Sequence, residues 1–281
     1  MEKILVKNLN FKYDNSGFCL KNINLRIKEG EFVLLTGPSA SGKSTLAYCL
    51  SGIIPHCIKN GKMKGNVWVN GKNTKEEKLS ELARKVGMVF QNPESQIFGM
   101  TVEEDIAFGL ENLNFPREEI RKRINKILKF LELKKFKDKP PECLSGGQKQ
   151  RLVIGSVLVM EPEVLILDEP VSNLDPEGTR MVFSTLISLK QQKKTIILIE
   201  RKIEGILPFV DRIIALKEGK IVSDSSPRKF FQNVKLVNSL GIQPPQVVRL
   251  FYKLKERGFK LGRLPLTVEE LVDGIHASCK S

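Results

Sequence analysis

The stretch LLTGPSASGKSTL limits what this chain can fold into more than any other. An apolar run leads into Gly37-x-x-x-x-Gly42-Lys43-Ser44-Thr45, and a helical pattern follows. A buried strand, a glycine-rich turn and a helix start, in that order, gather backbone N–H groups and the positive end of a helix around one point, where a phosphate chain can be wrapped. Lys43 reaches terminal phosphates from there, and the Ser44 hydroxyl suits Mg²⁺. Pro38, Ser39, Ala40, Ser41 and Thr45 complete the loop.

EVLILDEP is a second buried strand, and it ends in paired carboxylates. Asp168 is suited to hold a metal through water, and Glu169 is placed to polarise an attacking water beside a γ-phosphate. A strand-end acid pair that caps a nearby helix is the plainer alternative. ECLSGGQKQRL sets Ser145, Gly146, Gly147 and Gln148 at a helix start, which is a second anion site built from backbone N–H groups and also an ordinary helix entry.

Around these motifs the texture changes along the chain. The first thirty residues alternate apolar and polar, with a break at DNSG, and read as antiparallel strands. GNVWVNGK adds a hairpin, because Asn70-Gly71 suits the left-handed turn joining two such strands. Afterwards short apolar strands (EFVLLTG, KVGMVFQ, EVLILDE, KTIILIE, RIIALKEG) alternate with helical segments, the pattern of a mainly parallel sheet covered by helices. Helix starts are expected at TVEE, as a capping box on Thr101, at FPREE, with Pro116 in the first helical position, and at LDPEG, where an Asp cap precedes Pro176. Beyond Pro227 the strands stop. PPQVVRLFYKLKERG places Val247, Leu250, Phe251 and Leu254 on one helical face, which packs on its own domain or against another subunit.

Composition narrows the partners. The 281 residues carry a formal charge of +14, which favours an anionic partner such as nucleotide, lipid headgroup or nucleic acid, or is simply a solvated lysine-rich surface. No apolar run approaches the roughly 20 residues of a membrane-spanning helix. The charged N-terminus lacks the pattern of a secretory signal, so a cytosolic location is expected. The five cysteines are scattered without metal-ligand spacing and read as reduced structural thiols.

GPSASGKST, LSGGQ, LILDEP and SNLD, in this order and spacing, resemble the ATP-binding subunit of an ABC transporter over about the first 225 residues. VFQNPESQIFGMTVEEDIAFGLENL, with GIQPPQVVRLFYKLKERG and LPLTVEEL, resembles the ATPase component of energy-coupling factor (ECF) vitamin and metal transporters. The resemblance implies an α/β P-loop ABC ATPase core with an antiparallel β subdomain, a helical subdomain and a small C-terminal helical appendage. It implies an ATP-binding domain over 1–225, with a helical insert at about 92–160, and a C-terminal module over 226–281 through which subunits dimerise.

The same resemblance implies ATP and Mg²⁺ as ligands. Tyr13 would stack on adenine, the alternative being an ordinary exposed strand tyrosine. Gln91 would sense Mg²⁺ and the attacking water, and Ser44, Gln91 and Asp168 would serve the metal. Ser145 to Gln148 and Asp175 would reach the ATP of a second ATPase chain. The implied partners are that second subunit, a transmembrane coupling protein and a membrane-embedded substrate-binding protein, with no nucleic acid. The implied place is the cytoplasmic face of the membrane, bound peripherally. Rival readings are a soluble ABC ATPase acting on nucleic acid or ribosomes, and a nucleotide-binding regulator with little turnover.

One position departs from the family pattern. In TIILIERK, Arg201 stands where the family places a histidine that contacts the γ-phosphate. A neutral imidazole offers a donor and an acceptor, whereas arginine is always charged and only donates. Arg201 is therefore expected to weaken the site and to favour pairing with a different, histidine-bearing chain. It could instead substitute adequately in a homodimer, or be a salt-bridged surface residue beyond a shifted strand end. Glu200 reads as a surface or hydrogen-bonding residue beside the site.

Overall fold

A computed structural model of the chain describes residues 1–14 and 17–279; the centre of the expected DNSG break, at 15–16, lies outside them. The alternating N-terminal pattern forms β1 (Glu2–Tyr13) and β2 (Phe18–Lys28). Five buried residues make β3 (Phe32–Thr36), which feeds α1 (Lys43–Ser51) and the short α2 (Ile53–His56). β4 (Gly61–Val69) turns into β5 (Lys72–Asn73) through Asn70 and Gly71, both at positive φ (50° and 77°), as a left-handed hairpin turn requires. α3 (Leu79–Lys85) and β6 (Val86–Val89) follow.

The insert contains α4 (Val102–Asn112), α5 (Arg117–Phe130) and α6 (Gly146–Leu158). Thr101 caps α4 by accepting the Glu104 N–H (3.2 Å), but the Glu104 carboxylate takes the N–H of Met100 (3.1 Å), so the expected reciprocal box is only half made. Pro116 sits one residue earlier than expected, as the residue before α5. Ile120, Ile124 and Leu128, four apart, form the buried stripe of α5.

The remaining core consists of β7 (Val164–Asp168), α7 (Pro176–Gln191), β8 (Thr195–Ile199), β9 (Arg212–Lys217) and β10 (Lys220–Ser225). The chain then runs through α8 (Pro227–Gln232), α9 (Val234–Ser239), α10 (Gln246–Glu256) and α11 (Val268–Cys279).

Two sheets result. One is antiparallel, in the order β2-β1-β4-β5, and the other runs β10-β9-β3-β8-β7-β6. The second is parallel except for the edge strand β10. Strands β3, β6, β7 and β8 bury both faces, so consecutive residues serve different cores. Val33, Leu35, Ile166, Ile197 and Ile199 face the antiparallel sheet and α1, while Phe32, Leu34, Leu165, Leu167, Ile196 and Leu198 face α6 and α7. A third cluster lies within the insert.

Residues beyond 226 add Phe230, Phe231, Val248, Phe251, Leu264 and Leu271 to the cluster that packs on the parallel sheet. On α10 the buried residues are Val248 and Phe251, whereas Leu250 is 46% exposed, a correction to the expected stripe. Among the described residues no helix is long and apolar enough to cross a membrane.

Candidate active site

Register in the parallel sheet decides what meets what. Leu35 lies opposite Ile199, Ile199 opposite Asp168, and Leu167 opposite Val89. The loops leaving β3, β8, β7 and β6 therefore emerge side by side at the carboxyl ends of the strands, the usual place for a site in an open α/β sheet.

From β3 the chain enters Gly37 at φ 137°, where an added Cβ would lie 2.0 Å from the Leu216 carbonyl oxygen. Gly42, at φ 101°, leaves 2.6 Å to the Cys19 carbonyl oxygen, so backbone crowding at both ends of the loop excludes side chains. α1 then starts with no side-chain cap, which leaves its first N–H groups directed into the loop. Lys43 is buried and its Nζ donates to the carbonyls of Gly37 (3.0 Å) and Pro38 (2.7 Å). Burial lowers its pKa from the ordinary lysine value; the charge of Arg201 adds to this, and Glu169 and Asp168 oppose it.

β7 delivers Asp168, 5% exposed, and Glu169. Burial raises the Asp168 carboxyl above the usual carboxylate range; a hydrogen bond from the Ser44 hydroxyl counters this, and the charge of Glu169 reinforces it. Glu169 adopts φ 49°, a sparsely populated conformation for a residue with a side chain. Its Oε2 accepts the Gln91 Nε2–H (2.9 Å), and its Oε1 lies 3.9 Å from Arg201 Nε. Arg201 Nη2 donates to Ser39 Oγ of the loop (2.5 Å). The Tyr13 hydroxyl lies 3.4 Å from Thr45 Oγ1, with the ring edge-on to Phe11. Tyr13, the 37–45 loop, Gln91, Asp168, Glu169 and Arg201 are thus brought together.

Ser145 to Gln148 and Asp175 form a separate group. Ser145 and Gln148 make a reciprocal capping box on α6, with Ser145 N–H to Gln148 Oε1 at 2.9 Å. Asp175 Oδ1 accepts the Gly178 N–H (2.7 Å) and caps α7. α6 and α7 approach so closely that a Cβ on Gly147 would lie 2.8 Å from Gly178 Cα. All five residues line one cavity of about 430 Å³, and no residue of the 37–45 loop lines it.

Glu200 is the residue that the sequence reading undervalued. It is 3% exposed, which corrects the surface alternative and bears out the hydrogen-bonding one, since it accepts N–H groups from Arg201, Lys202 and Val171. Its position directly after five buried residues carried a signal, but its bond to Val171, at the end of another strand, has no local signature.

The residues present fit a nucleotide with Mg²⁺. The buried Ser41 hydroxyl has no partner, the α1 N–H groups are uncapped, and the hydroxyl of Ser44 and the carboxylate of Asp168 supply the hard oxygen donors that such a cation takes.

This fold and site define a P-loop nucleotide hydrolase. The family model described as ABC transporter matches residues 20–172. The chain is 47% identical over 274 residues to a putative ABC transporter ATP-binding protein of Pyrococcus abyssi, covering 97% of each. It is 41% identical to the energy-coupling factor transporter ATP-binding protein EcfA1 of Caldanaerobacter subterraneus subsp. tengcongensis, covering 97% of this chain and 98% of that one. Among solved structures it resembles cbiO1 of Clostridium perfringens, described as part of the ABC transporter complex cbiONQ, with TM-score 0.75, 33% identity, and coverage of 90% of this chain and 100% of that one. It also resembles the ATP-binding cassette MJ0796 in a dimeric post-hydrolysis state bound to ADP and Pi, with TM-score 0.68, 32% identity, and coverage of 80% and 99%. The chain belongs to the ABC transporter ATP-binding family and is the ATP-binding subunit of such a transporter. Members of this family are P-loop ATPases that bind ATP, generally with Mg²⁺, and work as dimers with transmembrane partners.

Proposed function

We propose that this chain drives an ECF-type importer of vitamins or metal ions by closing on ATP with a second ATPase chain and reopening after hydrolysis. The observation that carries this reading is the split arrangement. Glu169 stands between Gln91 and Arg201 beside the phosphate loop, while the Ser145–Gln148 group and Asp175 open into a different cavity. An ATP held by the loop of one chain then needs the second group from another. The similarity to EcfA1 and cbiO1 supports the ECF assignment.

In this reading Lys43 leaves the Gly37 and Pro38 carbonyls for the terminal phosphates, the α1 N–H groups cradle them, and Tyr13 supports the adenine. Ser44, Asp168 and Gln91 hold the metal. Mg²⁺ neutralises phosphate charge. Glu169 accepts a hydrogen bond from, and polarises, the attacking water, with Gln91 fixing its orientation. Arg201 clamps the γ-phosphate as a donor, and its Nε, 3.9 Å from Glu169 Oε1, only donates where the family's histidine both donates and accepts, so it orients the carboxylate and water less well. The chain's own site is the weaker one of a heterodimer whose partner bears a histidine, and its 145–148 segment completes the partner's site. Closure follows from tighter ATP binding to the closed dimer.

An exposed apolar patch is proposed as the landing place of the membrane partner. Phe98 (69% exposed), Met100 (81%) and Phe108 (50%) form an apolar patch, with Phe98 and Phe108 stacked at 5.7 Å, next to the segment that begins at Gln91. This supports a peripheral position on the cytoplasmic face of the membrane. Residues 226–281 are proposed as a C-terminal module that contributes to dimerisation.

Purification of the chain from gently solubilised native membranes tests the reading. Recovery of a second, histidine-bearing ATPase together with integral membrane proteins is expected. Recovery of the chain alone, or with ribosomes or nucleic acid, would overturn it. Arg201→His is expected to raise the hydrolysis rate, and an unchanged or lower rate would remove the weak-site assignment.

A further inference from the structure

Glu200 follows β8 directly and is buried, yet the chemistry above gives it no task. Its Oε1 accepts the N–H groups of Arg201 (2.7 Å) and Lys202 (3.0 Å), and its Oε2 accepts that of Val171 (3.4 Å). Val171 is two residues beyond Glu169, whose own N–H donates to the Ile199 carbonyl (2.8 Å). The sheet pairing of β7 with β8 ends at Asp168 opposite Ile199. Past that point the two turns are joined by one backbone bond and then by this carboxylate.

The chemistry of the joint is specific. Three N–H donors converge on it, so it needs two acceptor oxygens and no donor, which an ionised carboxylate supplies and an amide does not. A buried N–H left without an acceptor loosens the turn that carries it. We propose that Glu200 is a positioning residue that fixes the turn bearing Arg201 to the segment bearing Glu169, keeping the Arg201 guanidinium at Ser39 and beside the Glu169 carboxylate. This rests on the reading of Arg201 as a group that acts on the γ-phosphate. The Glu200 carboxylate is occupied by three backbone N–H groups and acts through the residues that bear them.

The experiment uses the full-length chain in complex with its ATPase partner, the partner's phosphate-loop lysine replaced so that only this chain's site turns over, as wild type, Glu200→Gln, Arg201→Ala and the double variant. For each, ATP affinity, the single-turnover hydrolysis rate and amide hydrogen exchange are measured. E200Q is expected to slow hydrolysis about tenfold, with ATP affinity held within about twofold, because the loss falls on transition-state geometry and not on binding. In the R201A background the same change is expected to cost less than about twofold, since residues acting as a unit are not additive. Exchange of the amides in 169–172 and 200–204 should quicken while that of β3 and β7 does not.

Equal slowing by E200Q in both backgrounds, or a loss of ATP affinity that matches the loss of rate, would overturn the proposal and leave Glu200 a purely structural cap. An unaltered rate in R201A would remove the reading of Arg201 and the proposal with it. A slow R201A beside a normal E200Q would remove only the positioning role. Should E200Q not fold, Glu200→Asp, which keeps the charge but shortens the reach to Val171, is expected to show the same split, and a wild-type rate in it would overturn the proposal.

Discussion

Lys43 shows how a single residue is held ready in this molecule. Its ammonium is buried and satisfied by two loop carbonyls, so phosphate oxygens replace existing hydrogen bonds instead of filling a void. Lys43→Ala is expected to weaken ATP binding on the order of tenfold or more, because a charge-assisted contact to phosphate is among the stronger hydrogen bonds; equilibrium binding of a fluorescent ATP analogue would measure it. Glu169→Gln removes the carboxylate proposed to polarise water and keeps the shape. Turnover should drop on the order of a hundredfold or more while ATP binding persists, in keeping with the usual size of general-base catalysis. A single-turnover assay separates the two quantities. The loop glycines, Lys43, Asp168 and Glu169 were legible in the sequence because their placement follows from one strand running into one turn. The joint made by Glu200 was not, because its third donor, Val171, follows another strand that neighbours β8 only in the folded sheet.

Among the elements, α6 and α7 carry the residues proposed to reach a second chain's ATP, and each starts with a side-chain cap, Ser145 with Gln148 and Asp175 before Pro176. Their mutual approach at Gly147 and Gly178 was not readable, since nothing local reveals which helix lies against which. Gly147→Ala would place a methyl group 2.8 Å from Gly178 Cα. Separating the helices is expected to cost roughly 1–3 kcal/mol, the usual range for overpacking, and to lower the thermal midpoint. ATP binding at the chain's own loop should survive, because the loop does not line that cavity. Calorimetry and nucleotide binding on the same variant check both halves. The α4 and α5 starts show the limit of cap signals: Glu104 reaches past Thr101 to Met100, and Pro116 precedes its helix by one residue. Such one-residue choices depend on how the preceding loop approaches the helix.

The whole molecule places nucleotide chemistry at the strand ends, an exposed aromatic patch near Gln91, and C-terminal helices on the same core that backs the sheet. Those helices meet the site through Glu204, three residues past Arg201, whose Oε1 accepts the Gln246 N–H at the start of α10 (2.9 Å). If the aromatic patch seats the membrane partner, Phe98→Ser together with Phe108→Ser should abolish co-purification with membrane proteins and leave ATP affinity unchanged; retention of the partner would place the docking surface elsewhere.

The sequence by itself determined the alternation of strands and helices, the phosphate loop, the strand-end acids and the Asp175 cap of α7, because each is set by residues within a few positions of one another. Only the tertiary structure decided that Arg201 meets Ser39, that Glu200 joins two turns, that Val248 and not Leu250 faces the core, and that the 145–148 group stands apart from the loop. Those outcomes depend on strand order, register and helix packing, which bring together residues far apart in the chain and are selected by burial of the whole core and not by any local preference.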